Sequence, residues 1–224
     1  MWRKNKGPVG VLPRIDISTA QNLRLRLYPD DVFPADVLPF MLTRPVAPGL
    51  IESVVMDYPD SMRPINRTEV AGTPEAKVFD HALASSLRYE KSYVDHQPLD
   101  GVPCTVFRGT HFYATAHVHR IGECVGRYGA LVSVPLPQYV LVHTITSEDH
   151  LVAALKVLQD YAYHLYQDGD APITPQLYWQ PPNTPLTLHP VGVRIDRATK
   201  VISYLTPATN DLMSLWTATN PNRF

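Results

Sequence analysis

Charge of either sign is scarce in this chain. Asp, Glu, Lys and Arg make up 18% of its 224 residues, against a usual share of about 25%. The signs nearly cancel: 20 Lys and Arg face 21 Asp and Glu, for a net charge of -1. That balance argues against a general nucleic-acid binder, which carries a basic surplus. Apolar runs are short, and none approaches the roughly 20 residues of a membrane span. Cysteine is limited to Cys104 and Cys124. Two widely spaced thiols make neither a disulfide framework nor a CxxC motif. They read as small buried side chains in a reducing compartment; a disulfide stays open if both fall on neighbouring strands. The chain also lacks a P-loop, GxGxxG, HExxH and GxSxG, which lowers the expectation of nucleotide chemistry and of the commonest hydrolases. Its first 16 residues, MWRKNKGPVGVLPRID, are basic without the apolar core of a secretory signal. A cytoplasmic location is the expectation.

What the chain has in excess is proline. Its 22 prolines are roughly twice the average share of about 5%. The 45% of apolar residues is ordinary for a globular protein and excludes a mostly disordered chain. Proline concentrates in residues 1–49 and in a connector from Pro172 to Pro190. Each proline removes a backbone donor and disfavours helix before it. Short strands and turns are expected in residues 1–49. Leu23, Leu25 and Leu27 alternate with Arg24 and Arg26, the period of a half-buried strand.

Downstream, LIESVVMDY (50–58) reads as a strand, with Pro59-Asp60-Ser61 as a turn. Thr73 and Pro74 open a helix over about 74–91 with Val78, Phe79, Ala82, Leu83, Ser86 and Leu87 on one face. Val102–Phe107 and His111–Val118 read as two strands around Arg108-Gly109-Thr110, followed by a short helix or turn at 119–128. Ala130–Val134 and Tyr139–Thr144 read as strands, with Pro135 and Pro137 between them. Ser147 caps a second helix that runs to about Gln167, and Gly169 stops it. Val191–Ile195 and Val201–Leu205 form a hairpin. Thr209 or Asn210 caps a last short helix, Asp211–Ala218. Strands joined by short turns pair antiparallel, so the expected fold is α+β: a mainly antiparallel sheet with two long helices and a short C-terminal one. A single domain is expected, with residues 1–49 as a proline-rich segment, 50–180 as the core and 181–224 as the C-terminal hairpin and helix.

Three segments, IESVVMDYPDSMR (51–63), GALVSVPLPQYVLVHTI (129–145) and TPQLYW (174–179), together with the helices between and after them, resemble the uncharacterised bacterial YtpQ-like family over about residues 50–180. The resemblance implies no catalytic residue. The order of elements from 74 to 167 is also similar to that of the small dimeric chaperones of secretion systems.

Several groupings carry chemistry. On a strand, His111, Tyr113, Thr115, His117 and His119 share one face. His117 and His119 then have the His-x-His spacing of some zinc sites, with His111, Glu123, Cys124 or His143 as a third ligand. The alternative is a polar strand face packed under a loop. His143 followed by Glu148, Asp149 and His150 offers a His–carboxylate pair for acid–base work, or a helix start complemented by acidic groups. Cys104 or Cys124 could act as a nucleophile beside a histidine. Arg63 and Arg67 could hold a phosphate or carboxylate, or belong to a turn stabilised by local hydrogen bonds. Tyr161, Tyr163 and Tyr166 lie on the second long helix, with Tyr178-Trp179 soon after. Tyrosine and tryptophan are enriched at interfaces because they join large area to a polar tip.

The expected function is a non-enzymatic interaction protein. It binds another protein, or a second copy of itself as a homodimer, through Tyr163, Tyr166, Tyr178 and Trp179. An immunity- or chaperone-like role is one version. No membrane partner and no cofactor are expected. The alternative is a metal-dependent hydrolase holding zinc at His111, His117 and His119.

Overall fold

The Leu–Arg alternation of residues 23–27 does form a strand. In a computed structural model describing residues 14–89, 93–196, 198–199 and 201–220, Leu23, Leu25 and Leu27 are almost wholly buried. The reading of the extreme N-terminus falls mostly outside the described residues. So do positions 90 and 91 of the first expected helix and positions 197 and 200 of the hairpin turn.

The first sheet holds β1 (Leu23–Pro29), β2 (Thr43–Ala47), β3 (Leu50–Tyr58) and β4 (Ser61–Pro64). β3 is its centre. β1 pairs along one edge, while β2 and β4 follow each other along the other. The proline-rich N-terminal region therefore supplies two strands of a sheet. α1 (Glu75–Tyr89) packs on the end of this sheet. Val78, Phe79 and Ala82 meet Leu23, Leu25, Val54 and Met56 there. β1 is an edge strand, and edge N–H groups invite unwanted pairing. Two hydroxyls occupy them: Leu25 N–H donates to Ser86 Oγ at 2.8 Å, and Leu27 N–H to Thr115 Oγ1 at 3.4 Å.

The second sheet runs β10-β9-β7-β8-β6-β5. Its strands are β5 (Tyr93–Leu99), β6 (Val102–Arg108), β7 (Ala130–Ser133), β8 (Tyr139–Thr144), β9 (Leu177–Gln180) and β10 (His189–Val191). A separate hairpin joins β11 (Val193–Ile195) to β12 (Ile202–Tyr204). The helices are completed by α2 (Leu151–Asp168) and α3 (Pro207–Thr217). Strand pairing in the described residues is antiparallel throughout, and the fold is α+β. None of these helices is long and apolar enough to cross a membrane.

The inner strands of the second sheet are apolar on both faces, as burial on two sides requires. Phe107, Val132, Val140, Val142 and Tyr178 point toward Leu27 and Leu50 of the first sheet. Cys104, Val106, Leu131, Leu141, Leu177 and Trp179 point toward Leu155 and Leu158 of α2 and Trp216 of α3.

Five expectations are corrected. His111–Val118 is not a strand: a run of 3-10 turns covers Ala114–Cys124. Ala114, His117, Val118 and Ile121 recur at helical spacing and are buried, together with Thr115 and Ala116. β6 pairs instead with β5, which precedes it, and on its other side with β8. The polar, proline-containing sequence of β5 fits a sheet edge. The 172–190 connector contains β9, inserted between β7 and β10. α2 starts at Leu151 and not at Ser147, because the Asp149 carboxylate accepts the Thr146 N–H and holds 146–149 as a turn. α3 starts at Pro207, with Thr206 Oγ1 accepting the Thr209 N–H as its cap. Gly169 ends α2 as expected, but in extended backbone. A Cβ there would lie 2.7 Å from the Leu165 carbonyl oxygen and press on the Leu136 side chain, so close approach to backbone is what favours glycine.

Candidate functional site

α2 crosses the β9–β10 end of the second sheet and leaves a groove of about 570 Å³. Gln159, Asp160 and Tyr163 form the helix wall. Leu177, Tyr178 and Val191 lie along the sheet side, and Pro48, Pro175, Pro190 and Leu205 complete the apolar lining. Spacing explains the helix wall: Gln159 and Tyr163 are four residues apart and stack on one face.

The walls are pinned. Gln159 accepts the Val193 N–H through Oε1 (3.1 Å) and donates to the Val193 carbonyl through Nε2 (3.3 Å). Gln176 Nε2 donates to the Val191 carbonyl at 2.8 Å. Thr206 Oγ1 donates to the Pro190 carbonyl at 2.6 Å. Tyr178 donates its hydroxyl to the Pro48 carbonyl at 3.0 Å, tying the first sheet to the second, and burial pushes its pKa up to about 12. The mobile-looking proline stretches are thus held by side-chain amides and hydroxyls. On the rim, Tyr163 is 52% and Leu205 51% exposed.

The four aromatic residues expected at a binding surface separate in the structure. Tyr163 and Tyr178 both line the groove, one as exposed wall and the other as buried floor. Tyr166 is half-buried and outside the lining. Trp179 is not exposed surface: it faces the α2 side of the core, and its indole N–H donates to the Tyr128 carbonyl at 2.9 Å. The alternation of β9 sends adjacent rings to opposite faces of the sheet.

The histidine set also separates. Residues two apart in a 3-10 helix are turned by roughly 240°, so His117 and His119 diverge. His111 sits on the preceding loop, its ring 4.9 Å from that of Tyr89. His119 Nε2 lies 2.7 Å from Glu52 Oε2. His117 is buried and stacked on Phe107, ring centroids 5.5 Å apart. Among the described residues, no group of three His, Cys, Asp or Glu side chains is placed to hold a metal.

His117 has no hydrogen-bond partner for either ring nitrogen among the described residues. Burial holds its pKa below the usual value near 6.5, and the Arg120 charge adds to this. The folded imidazole therefore resists a proton that the unfolded one accepts. Stability falls as pH drops below about 6.5 toward the folded value. His117→Leu is expected to raise stability at pH 7 by about 1 kcal/mol, by removing two unsatisfied buried atoms. It also flattens stability against pH below 6.5 in urea titrations. An unchanged slope contradicts this.

His143 and Asp149 do come together. His143 Nδ1 donates to the Pro103 carbonyl at 2.7 Å, and Nε2 lies 3.2 Å from Asp149 Oδ2 without the alignment of a hydrogen bond. Burial acts to raise the Asp149 pKa, but His143 and the Thr146 N–H outweigh it and hold the carboxyl low. The pair ties the 146–149 turn to β6 and β8. Cys104 and Cys124 are free, in clusters on opposite faces of the second sheet. Burial pushes the Cys104 thiol up to about 12 and raises Cys124 as well. Neither is a thiolate nucleophile at neutral pH. Arg63 is held bidentately by buried Glu69, and Arg67 by Glu75. These two arginines are neutralised within the fold.

The groove-lining residues Gln159, Gln176 and Leu205 carry no motif. Only the i, i+4 relation of Gln159 and Tyr163 is visible in sequence. No family model, curated protein or solved structure matches the chain, so its function is argued from its own geometry.

Proposed function

We propose that this chain is a non-enzymatic protein that binds another protein, and that the α2 groove is its contact surface. One observation carries the reading. An exposed tyrosine and an exposed leucine stand over an apolar groove whose walls are fixed by hydrogen bonds. A preformed groove spares the ordering cost of binding. Tyrosine at a desolvated rim supplies contact area with few rotors. The occupant is an extended apolar segment of the partner, since Pro48, Pro175, Pro190, Leu177 and Val191 line the groove around the Tyr178 floor.

Tyr163→Ala and Leu205→Asp test it. Both side chains are about half exposed, so the variants keep the wild-type fold and unfolding midpoint. Affinity capture from the natural host should retain one stoichiometric partner on the wild-type chain, competed by free wild-type protein. Either variant should weaken retention about tenfold or more. A partner retained equally by wild type and Leu205→Asp contradicts the groove. Light scattering separates a second copy of the chain from a different protein.

A further inference from the structure

A second depression, of about 690 Å³, lies where α1 packs against the segment entering β1. Its lining is polar and cationic: Arg24, His81 and Arg88 with Gln21, Ser85 and Tyr89. No aspartate or glutamate lines it among the described residues. His81, Ser85 and Arg88 recur at i, i+4 and i+7 and so share a helix face.

Arg24 is the built element of this site. Its side chain is 7% exposed, and a buried guanidinium is costly unless its charge and donors are answered. Nη1 is answered three times: it donates to the Gln21 carbonyl (2.6 Å), the Leu23 carbonyl (3.0 Å) and Ser85 Oγ (2.6 Å). The Tyr89 ring covers the guanidinium, 4.2 Å from ring centroid to Cζ. Nε is buried without a hydrogen bond among the described residues. Its nearest carboxylate, Asp57, is 3.7 Å away. Asp57 is itself engaged by the Tyr113 hydroxyl at 2.6 Å. The positive charge is thus fixed in place, with the Asp57 carboxylate as its one ion-pair partner among the described residues.

Two further groups converge. His81 Nε2 donates to the Ala20 carbonyl at 3.1 Å. The carbonyl only accepts, so Nε2 carries the hydrogen and holds the ring against the segment entering β1. Arg88 is exposed and makes no ion pair among the described residues. Two guanidinium groups, one held rigid, answer more negative charge than a single carboxylate brings. The depression is also wider than an oxyanion alone needs.

We propose that this depression binds a phosphate-bearing ligand, a phosphate ester whose oxygens are met by Arg24 and Arg88. The site is separate from the α2 groove and does not depend on it. Titration calorimetry on the full chain at pH 7 and fixed ionic strength tests it, with phenyl phosphate as probe, benzoate as the carboxylate counterpart and inorganic phosphate as the free anion. Phenyl phosphate is expected to bind saturably at one site, more tightly than benzoate. Arg88→Gln, an exposed change that leaves the fold intact, weakens it about tenfold or more. Arg120→Gln, a charge change elsewhere, leaves it unaltered. Inorganic phosphate binding as tightly as phenyl phosphate identifies a free-anion site and overturns the ester assignment. Three results overturn the phosphate site itself: no saturable binding, binding indifferent to Arg88→Gln, or benzoate binding equally well.

Discussion

Gly129→Ala is expected to cost about 3 to 5 kcal/mol of unfolding free energy, combining backbone strain with overpacking. Gly129 opens β7 with φ at +89°, a conformation that an L side chain rarely adopts. Space is closed as well. A Cβ would lie 2.2 Å from the Gln180 carbonyl oxygen and 2.5 Å from Trp179 Nε1. The first obstacle is backbone of the adjacent strand. The second is an indole nitrogen committed to the Tyr128 carbonyl. Neither can yield without parting β7 from β9, the strand that floors the groove. Gly122→Ala is the matched control: a Cβ there meets nothing within 4 Å, and the change should stay within about 0.5 kcal/mol. Urea unfolding of the two variants distinguishes a specific steric lock from a general intolerance of alanine. Equal midpoints would remove the lock.

Arg44→Ala is expected to cost about 3 to 5 kcal/mol, because it strands a buried carboxylate. Arg44 and Glu52 are cross-strand partners of β2 and β3. Glu52 is fully buried and is shared by Arg44 and His119. The Arg44 guanidinium also lies over the Phe79 ring at 4.3 Å. The two partners are not equivalent. The Arg44 side chain is 39% exposed and that of Glu52 is 1%. Deleting the carboxylate frees a cation that can turn to water. Deleting the cation leaves a buried anion that cannot, with only His119 beside it. Glu52→Gln alone should therefore cost only about 1 to 2 kcal/mol. Adding Glu52→Gln to Arg44→Ala should recover more than half of the single-variant loss, a coupling that a double-mutant cycle reads directly. A double variant no more stable than Arg44→Ala would show that packing, not stranded charge, sets the cost.

Where one periodicity dominates, these elements are written in the sequence. LIESVVMDY is a strand over the residues expected, and its Val54 and Met56 pair with Leu25 and Leu23 in one core cluster. α1 was legible from Val78, Phe79, Ala82 and Ser86. The failures have identifiable causes. LYWQ is four residues long and bracketed by Pro175 and Pro181, so its insertion between β7 and β10 depends on long-range pairing that no local pattern records. The 111–124 segment supports two periods: its polar residues alternate, while Ala114, His117, Val118 and Ile121 recur helically. Burial chose the second and dispersed the histidines. The groove was half legible. Tyr163 stands off the apolar stripe of α2 and marks an exposed aromatic. Tyr178 and Trp179 read as neighbours in a connector, but they lie on β9, whose alternation sends them to opposite faces. The anion pocket was less legible still, since Arg24 reads as the polar side of a strand until α1 closes over it.

The central claim is that the α2 groove, and not exposed apolar surface in general, makes the contact. Phe40 is the control, because at 63% it is more exposed than Tyr163 and lies outside the groove's lining. A photoreactive phenylalanine analogue at position 163 or at position 40 reports contact within a few ångströms of each ring. The account predicts a discrete adduct at position 163, suppressed by excess unlabelled wild-type chain but not by excess Leu205→Asp, with little or none at position 40. Equal crosslinking at the two positions would contradict it.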